Sequence, residues 1–206
     1  TSSSGSINSG SFATGVSFAT GTSPSKVVIT DVDGDGKPDV VVGNGSTATI
    51  SVFRNIASPG SITSGSFSAK VDFPIPAGSL YLYVADLDLD GRPELITTNN
   101  SSQVSVLRNT CTAGTINSGS FATSVNFTTG STPSTVVACD IDGDGKPEIV
   151  VPNYNSHTLS IFHNTTTIGS INSSSFATKV DFSTGGLTYP IGVCFGDVDG
   201  DGKLDI

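Results

Sequence analysis

The sequence predicts an all-β chain: a partial β-propeller of four-stranded antiparallel blades, with three full blades and flanking strands in a single repeat domain over 1–206. Three observations predict it. Four acidic nine-residue segments, DVDGDGKPD at 31–39, DLDLDGRPE at 86–94, DIDGDGKPE at 140–148 and DVDGDGKLD at 197–205, start 55, 54 and 57 positions apart. The same short apolar runs flank each of them, so the unit of about 55 residues is a structural repeat. The composition, with 24 Gly, no Trp, no Met and abundant Ser and Thr, suits short strands and turns rather than helices.

The elements follow in register. A first run, strand A, precedes each acidic segment: Val27 to Ile29, Tyr81 to Val84, Val136 to Ala138, and Ile191 to Phe195. A second, strand B, follows it: Val40 to Val42, Leu95 and Ile96, Ile149 to Val151, and a final Ile206. Short continuous apolar runs bounded by turn residues read as buried strands. A third run alternates apolar and polar residues, Ile50-Ser51-Val52, Val104-Ser105-Val106 and Leu159-Ser160-Ile161, the pattern of a half-buried strand C.

Strand D carries apolar residues of one parity: Phe12, Val16 and Phe18; Phe67, Val71 and Phe73; Phe121, Val125 and Phe127; Phe176, Val180 and Phe182. One greasy face and one polar face place it at the outside of a sheet. Pro24, Pro133 and Pro190 open strand A, where a missing N–H is tolerated; Ser79 takes that place in the second unit. The expected order is a leading D strand at 11–18, blades at 26–73, 80–127 and 134–182, and the start of another at 190–206. A lone four-stranded sheet cannot bury both faces, so copies must pack face to face around an axis.

Each acidic segment puts carboxylates at positions 1, 3, 5 and 9. These are Asp31, Asp33, Asp35 and Asp39; Asp86, Asp88, Asp90 and Glu94; Asp140, Asp142, Asp144 and Glu148; and Asp197, Asp199, Asp201 and Asp205. Each pair of such charges roughly 4 Å apart repels by about 4 kcal/mol at an effective dielectric of about 20, so a cation is required to hold the loop closed. Hard oxygen ligands at this density fit Ca²⁺, at about four sites. Position 7 (Lys37, Arg92, Lys146 or Lys203) would add its backbone carbonyl, and Gly36, Gly91, Gly145 and Gly202 permit the sharp turn. An EF-hand is excluded, because position 12 is Val42, Thr97 or Val151 and the flanks are β-rich.

Of 18 acidic residues, 16 lie in these loops, leaving only Asp72 and Asp181 outside. The net charge of −9 is therefore a local supply of ligands, which four Ca²⁺ would nearly neutralise. Nine Lys and Arg residues, several inside the loops, form no basic patch, which argues against nucleic acid. No stretch approaches the roughly 20 apolar residues that would span a bilayer. Cys139 and Cys194 fall in expected inner strands and read as buried thiols; a bridge between them stays open, and Cys111 has no repeat equivalent.

The D-x-D-G-D-G-x-x-D/E segment between two strands, repeated at this interval, resembles the FG-GAP/VCBS repeat of integrin-α-like β-propellers. The resemblance covers essentially the whole chain, with Leu89 replacing glycine in the second loop and Leu204 replacing proline in the fourth. It implies Ca²⁺ held through positions 1, 3, 5, 7 and 9 of each loop. It also implies a ligand face at the opposite ends of the blades, here 44–46, 99–102, 153–157 and the segments around Thr22 and Tyr189. Such propellers usually close with seven blades, so the remaining blades are expected from a larger chain or from another copy. The expected function is a calcium-stabilised, non-catalytic module for adhesion or ligand recognition, extracellular or at the cell surface, with a glycan or protein ligand. A lectin and a structural assembly module are the alternatives. A polysaccharide lyase is the weakest reading, with only His157, His163 and four Tyr residues as candidate acid and base groups.

Overall fold

The computed structural model describes residues 7–99, 101–186 and 188–206, with the side chains of Ser79 and Leu80 left aside. Among the described residues twelve strands form three four-stranded antiparallel sheets. The first is β1 (Pro24–Thr30), β2 (Asp39–Asn44), β3 (Thr49–Phe53) and β4 (Val71–Pro74), paired in that order. The second is β5 (Ser79–Ala85), β6 (Glu94–Asn99), β7 (Gln103–Leu107) and β8 (Val125–Thr128). The third is β9 (Val137–Cys139), β10 (Glu148–Asn153), β11 (Thr158–Phe162) and β12 (Val180–Ser183). No helix occurs among the described residues.

Each of the first three acidic segments is the bend of the first hairpin of a sheet, so these bends share one end of the sheets. The tight turn into the third strand lies at the other end and holds Ala48, Ser102 or His157 in the left-handed region, at φ 49°, 54° and 55°. The outer strand is shorter than the Phe series suggests. Phe67, Phe121 and Phe176 make isolated bridges to Asn55, Asn109 and Asn164, and regular pairing resumes four residues later.

Hydrophobic burial lies between sheets. Val41, Ile50, Val52 and Phe73 of the first sheet pack with Leu82, Leu95, Leu107 and Phe121 of the second. Ile96, Val104, Val106 and Phe127 of the second repeat this against Val136, Ile149, Phe162 and Phe176 of the third. At each seam the phenylalanines meet edge to face, Phe73 on Phe121 at 4.9 Å and Phe127 on Phe176 at 5.1 Å between ring centres.

Asp72 and Asp181, the two acids outside the loops, belong to a polar stitch across each sheet. Asn44 Nδ2 donates to Ser51 Oγ (2.9 Å), which donates to Asp72 Oδ1 (2.5 Å). Asn153, Ser160 and Asp181 repeat this at 2.8 and 2.6 Å, and Asn99, Ser105 and Asn126 do so at 3.1 and 2.6 Å with an amide in place of the acid. Lys70 and Lys179 pair with the two acids.

A second set of bonds crosses between sheets. Asn109 Nδ2 donates to the carbonyl of Val32 in the first loop (2.8 Å), and Asn164 Nδ2 donates to that of Leu87 in the second (2.8 Å). The same amides bond the carbonyls of Pro93 and Pro147 within their own sheets, at 3.0 and 2.9 Å. Among the described residues Asn55 Nδ2 donates only within its own sheet, to the carbonyl of Pro38 (2.8 Å).

Both ends depart from expectation. The segment 11–18 forms no strand, since among the described residues it has no strand paired with it; Phe12 is exposed, while Phe18 still packs edge to face on Phe67 at 5.1 Å. Strand A of the first blade is not buried: Ile29 is 66% exposed, since no sheet covers that face. At the far end 190–206 forms only the bridge Gly196 to Asp205, so Pro190 opens no strand. Phe182 is accordingly 52% exposed. The thiols also differ from expectation: Cys111 is buried, Cys139 half-buried and Cys194 exposed, and all three are free.

Replacing Asn109 with alanine strands the buried Val32 carbonyl as well as that of Pro93, and should lower unfolding free energy by roughly 1–3 kcal/mol. Asn55→Ala removes no bond between sheets, only the local ones to Pro38 and Ala57, and should cost less. Urea denaturation of the two variants side by side checks the order.

Candidate metal centres

The chain direction curls each loop around its first carboxylate. Gly34 and Gly36 N–H donate to the two oxygens of Asp31 at 2.8 Å each, and Gly143 and Gly145 do the same to Asp140 at 2.8 and 2.9 Å. The glycine at position 6 sits at φ 83–89° in all four loops, where a Cβ is disfavoured. In the second loop Leu89 is held at position 4 with φ 57°, an uncommon place for a non-glycine residue.

In the first three loops position 9 is the most buried carboxylate, with Asp39 and Glu94 fully inaccessible, while Asp205 in the fourth is exposed. Asp39 accepts from the N–H of Val32 (3.1 Å) inside the loop and from that of Asn55 (2.8 Å) at the end of β3. Glu94 accepts from Leu87 (2.7 Å) and Asn109 (3.2 Å), and Glu148 from Ile141 (2.9 Å) and Asn164 (3.3 Å). The residue expected to close a cation site thus also ties the loop to the sheet.

One oxygen from each of positions 1, 3 and 9 lies within 4.8 Å of the others in every loop: Asp31, Asp33, Asp39; Asp86, Asp88, Glu94; Asp140, Asp142, Glu148; Asp197, Asp199, Asp205. Oxygens at opposite sides of a Ca²⁺ with bonds of about 2.3–2.6 Å stand about 4.6–5.2 Å apart, so this spacing fits that ion. Position 5 does not join these groups. Asp35 faces Arg54 Nη2 (2.7 Å), and Asp90 faces Arg92 and Arg108 at 2.9 and 3.0 Å. Asp144 groups instead with Asp142 and His163. At position 7 two lysine side chains reach out of their loops: Lys37 Nζ donates to the carbonyl of Ala57 and Lys146 Nζ to that of Thr166.

Sequence reasoning missed the cations that face positions 3 and 5. Arg54 Nε lies 2.6 Å from Asp33 Oδ2, and Arg108 Nε 3.0 Å from Asp88 Oδ2. His163 takes the same slot in the third sheet, 3.2 Å from Asp142 and 3.4 Å from Glu148. The signal was present, since Arg54, Arg108 and His163 all precede the asparagine that ends the third strand.

At the opposite ends of the sheets, the expected ligand residues divide. Asn44, Asn99 and Asn153 are fully buried in the stitches and are structural. Asn100 lies outside the described residues. Tyr154 and Tyr189 stack at 4.8 Å between ring centres, with His157 edge-on to Tyr189 at 4.9 Å.

Repeated antiparallel four-stranded sheets, each with an acidic bend, define a blade-type repeat protein. The chain belongs to the FG-GAP-like repeat family: its family model matches residues 31–97 and again 90–151, more than half of the chain. Each match runs from one acidic loop past the next. No curated protein matches the chain.

Burial pushes the Glu94 carboxyl up from 4.5 to about 8, against the pull of the Leu87 and Asn109 N–H groups and with Asp88 and Asp86 adding repulsion. Between those pH values the folded, cation-free chain binds a proton that the unfolded chain has released, so stability falls as pH rises through that window. With divalent ions chelated, the melting temperature should drop steadily from pH 5 to pH 8, and Glu94→Gln should flatten the slope. A melting series at fixed ionic strength reads both.

Proposed function

We propose that the chain is a calcium-stabilised, non-catalytic β-propeller module for adhesion or ligand recognition, working outside the cell or at its surface. The observation that carries the reading is the fourfold convergence of three carboxylate oxygens within 4.8 Å at equivalent hairpin bends. Calcium at extracellular, millimolar levels suffices for sites of modest affinity built from one local loop. The ion would neutralise charges that otherwise repel at each bend, leaving the blade ends rigid. Such a module offers its opposite end to a partner, and family membership supports that role.

A lectin reading has one specific observation in its favour, the stacked Tyr154 and Tyr189 with His157 at that opposite end. Exposed aromatic faces suit sugar rings as well as peptides. A glycan array probed in calcium, with Tyr154→Ala as the comparison, separates a sugar ligand from a protein one.

Calcium should raise the melting temperature of chelator-treated protein. At a hundredfold excess over the dissociation constant, each site contributes about 2.7 kcal/mol. Asp86→Asn should weaken one site and leave the others. An unchanged melting curve on adding calcium, with no heat in calorimetry, sinks the proposal.

A further inference from the structure

The three sheets are copies of one design, so a difference between them at one position isolates its chemistry. In the first two, the residue after the third strand is an arginine whose guanidinium holds positions 3 and 5 of the loop: Arg54 on Asp33 and Asp35, Arg108 on Asp88 and Asp90. A guanidinium is always charged and has no lone pair to offer a metal. There Asp33 and Asp88 carry no exposed side-chain surface. In the third sheet the residue is His163, and it and Asp142 are each 48% exposed. The fixed positive charge is gone, and a nitrogen ligand stands in its place.

The spacing suits a small cation. Tetrahedral bonds of about 2.0–2.1 Å separate neighbouring ligand atoms by about 3.3 Å. His163 Nδ1 lies 3.2 Å from Asp142 Oδ2 and 3.4 Å from Glu148 Oε1. Asp142, Asp144 and His163 bring one ligand atom each within 4.8 Å of the others. Calcium takes oxygen ligands, whereas imidazole nitrogen beside carboxylate suits zinc, cobalt or nickel.

We infer that the third loop is a transition-metal site, in which His163 joins Asp142 and Asp144, with Glu148 beside them, to hold Zn²⁺ or a cation of similar preference. The inference rests on the reading that these loops hold cations, but not on calcium being the ion. The other loops, closed by arginine or lacking an imidazole, keep to oxygen-only coordination.

The test is equilibrium dialysis of the whole chain against Zn²⁺ in saturating calcium, with metal counted by mass spectrometry. The wild-type chain should retain one zinc. His163→Arg, which copies the first two sheets, and His163→Ala should bind it at least about tenfold more weakly, the smallest loss typical even of an outer-shell partner. Circular dichroism confirms that both variants keep their strands. Independently of any variant, Co²⁺ added to the wild-type chain should shift or broaden the ring signals of one of its two histidines in proton spectra. Zinc held equally by His163→Arg, or no histidine ring moved by Co²⁺, overturns the inference. Zinc retained through His163 without any effect of calcium on melting leaves this inference standing and removes the calcium proposal. The converse result removes this one alone.

Discussion

A carboxylate with almost no access to water, at the ninth position of the first three acidic loops, accepts one N–H from inside the loop and another from just past the third strand. Asp39, Glu94 and Glu148 each make this pair of bonds. The bend is thereby fixed to the sheet, and positions 1 and 3 are brought within reach of the same point. Burying a carboxylate raises its cost unless charge or hydrogen bonds compensate, and here both donors are backbone groups that would otherwise be unpaired. The fold and the candidate cation site therefore share one residue, so neither can be altered there without the other.

Hydrophobic packing couples the sheets, but the asparagine amides set their register. The faces of neighbouring sheets meet through branched aliphatic residues and edge-to-face phenylalanines, contacts that tolerate sliding. Asn109 and Asn164 each bind a carbonyl in the preceding loop and another in their own sheet, which fixes one arrangement. The first two acidic bends consequently sit at the two seams rather than at the free tip of a hairpin.

Much of this was legible in the sequence because the repeat sets equivalent residues side by side. Loop spacing, the inner strands and the single-parity outer strand follow from local periodicity, and the structure shows the corresponding sheets. What was not legible lies in contacts between residues distant along the chain. Arg54 looks like an ordinary strand-end charge until folding sets it on Asp33 and Asp35, and Asp72 reads as a solitary acid until Ser51 and Lys70 approach it. The burial expected of Ile29 and Cys194 also failed, because a strand face is buried only when another sheet covers it. Periodicity records which face is apolar, not whether a neighbour is present.

The amide bonds between sheets point one way only: each reaches back from a later unit to the loop of the unit made before it. A nascent chain leaving the ribosome therefore presents an acidic bend whose Val32 or Leu87 carbonyl has no asparagine donor until a further 77 residues have emerged, well over one repeat. Maturation of the bends follows the order of translation, and the youngest is always the one awaiting its successor.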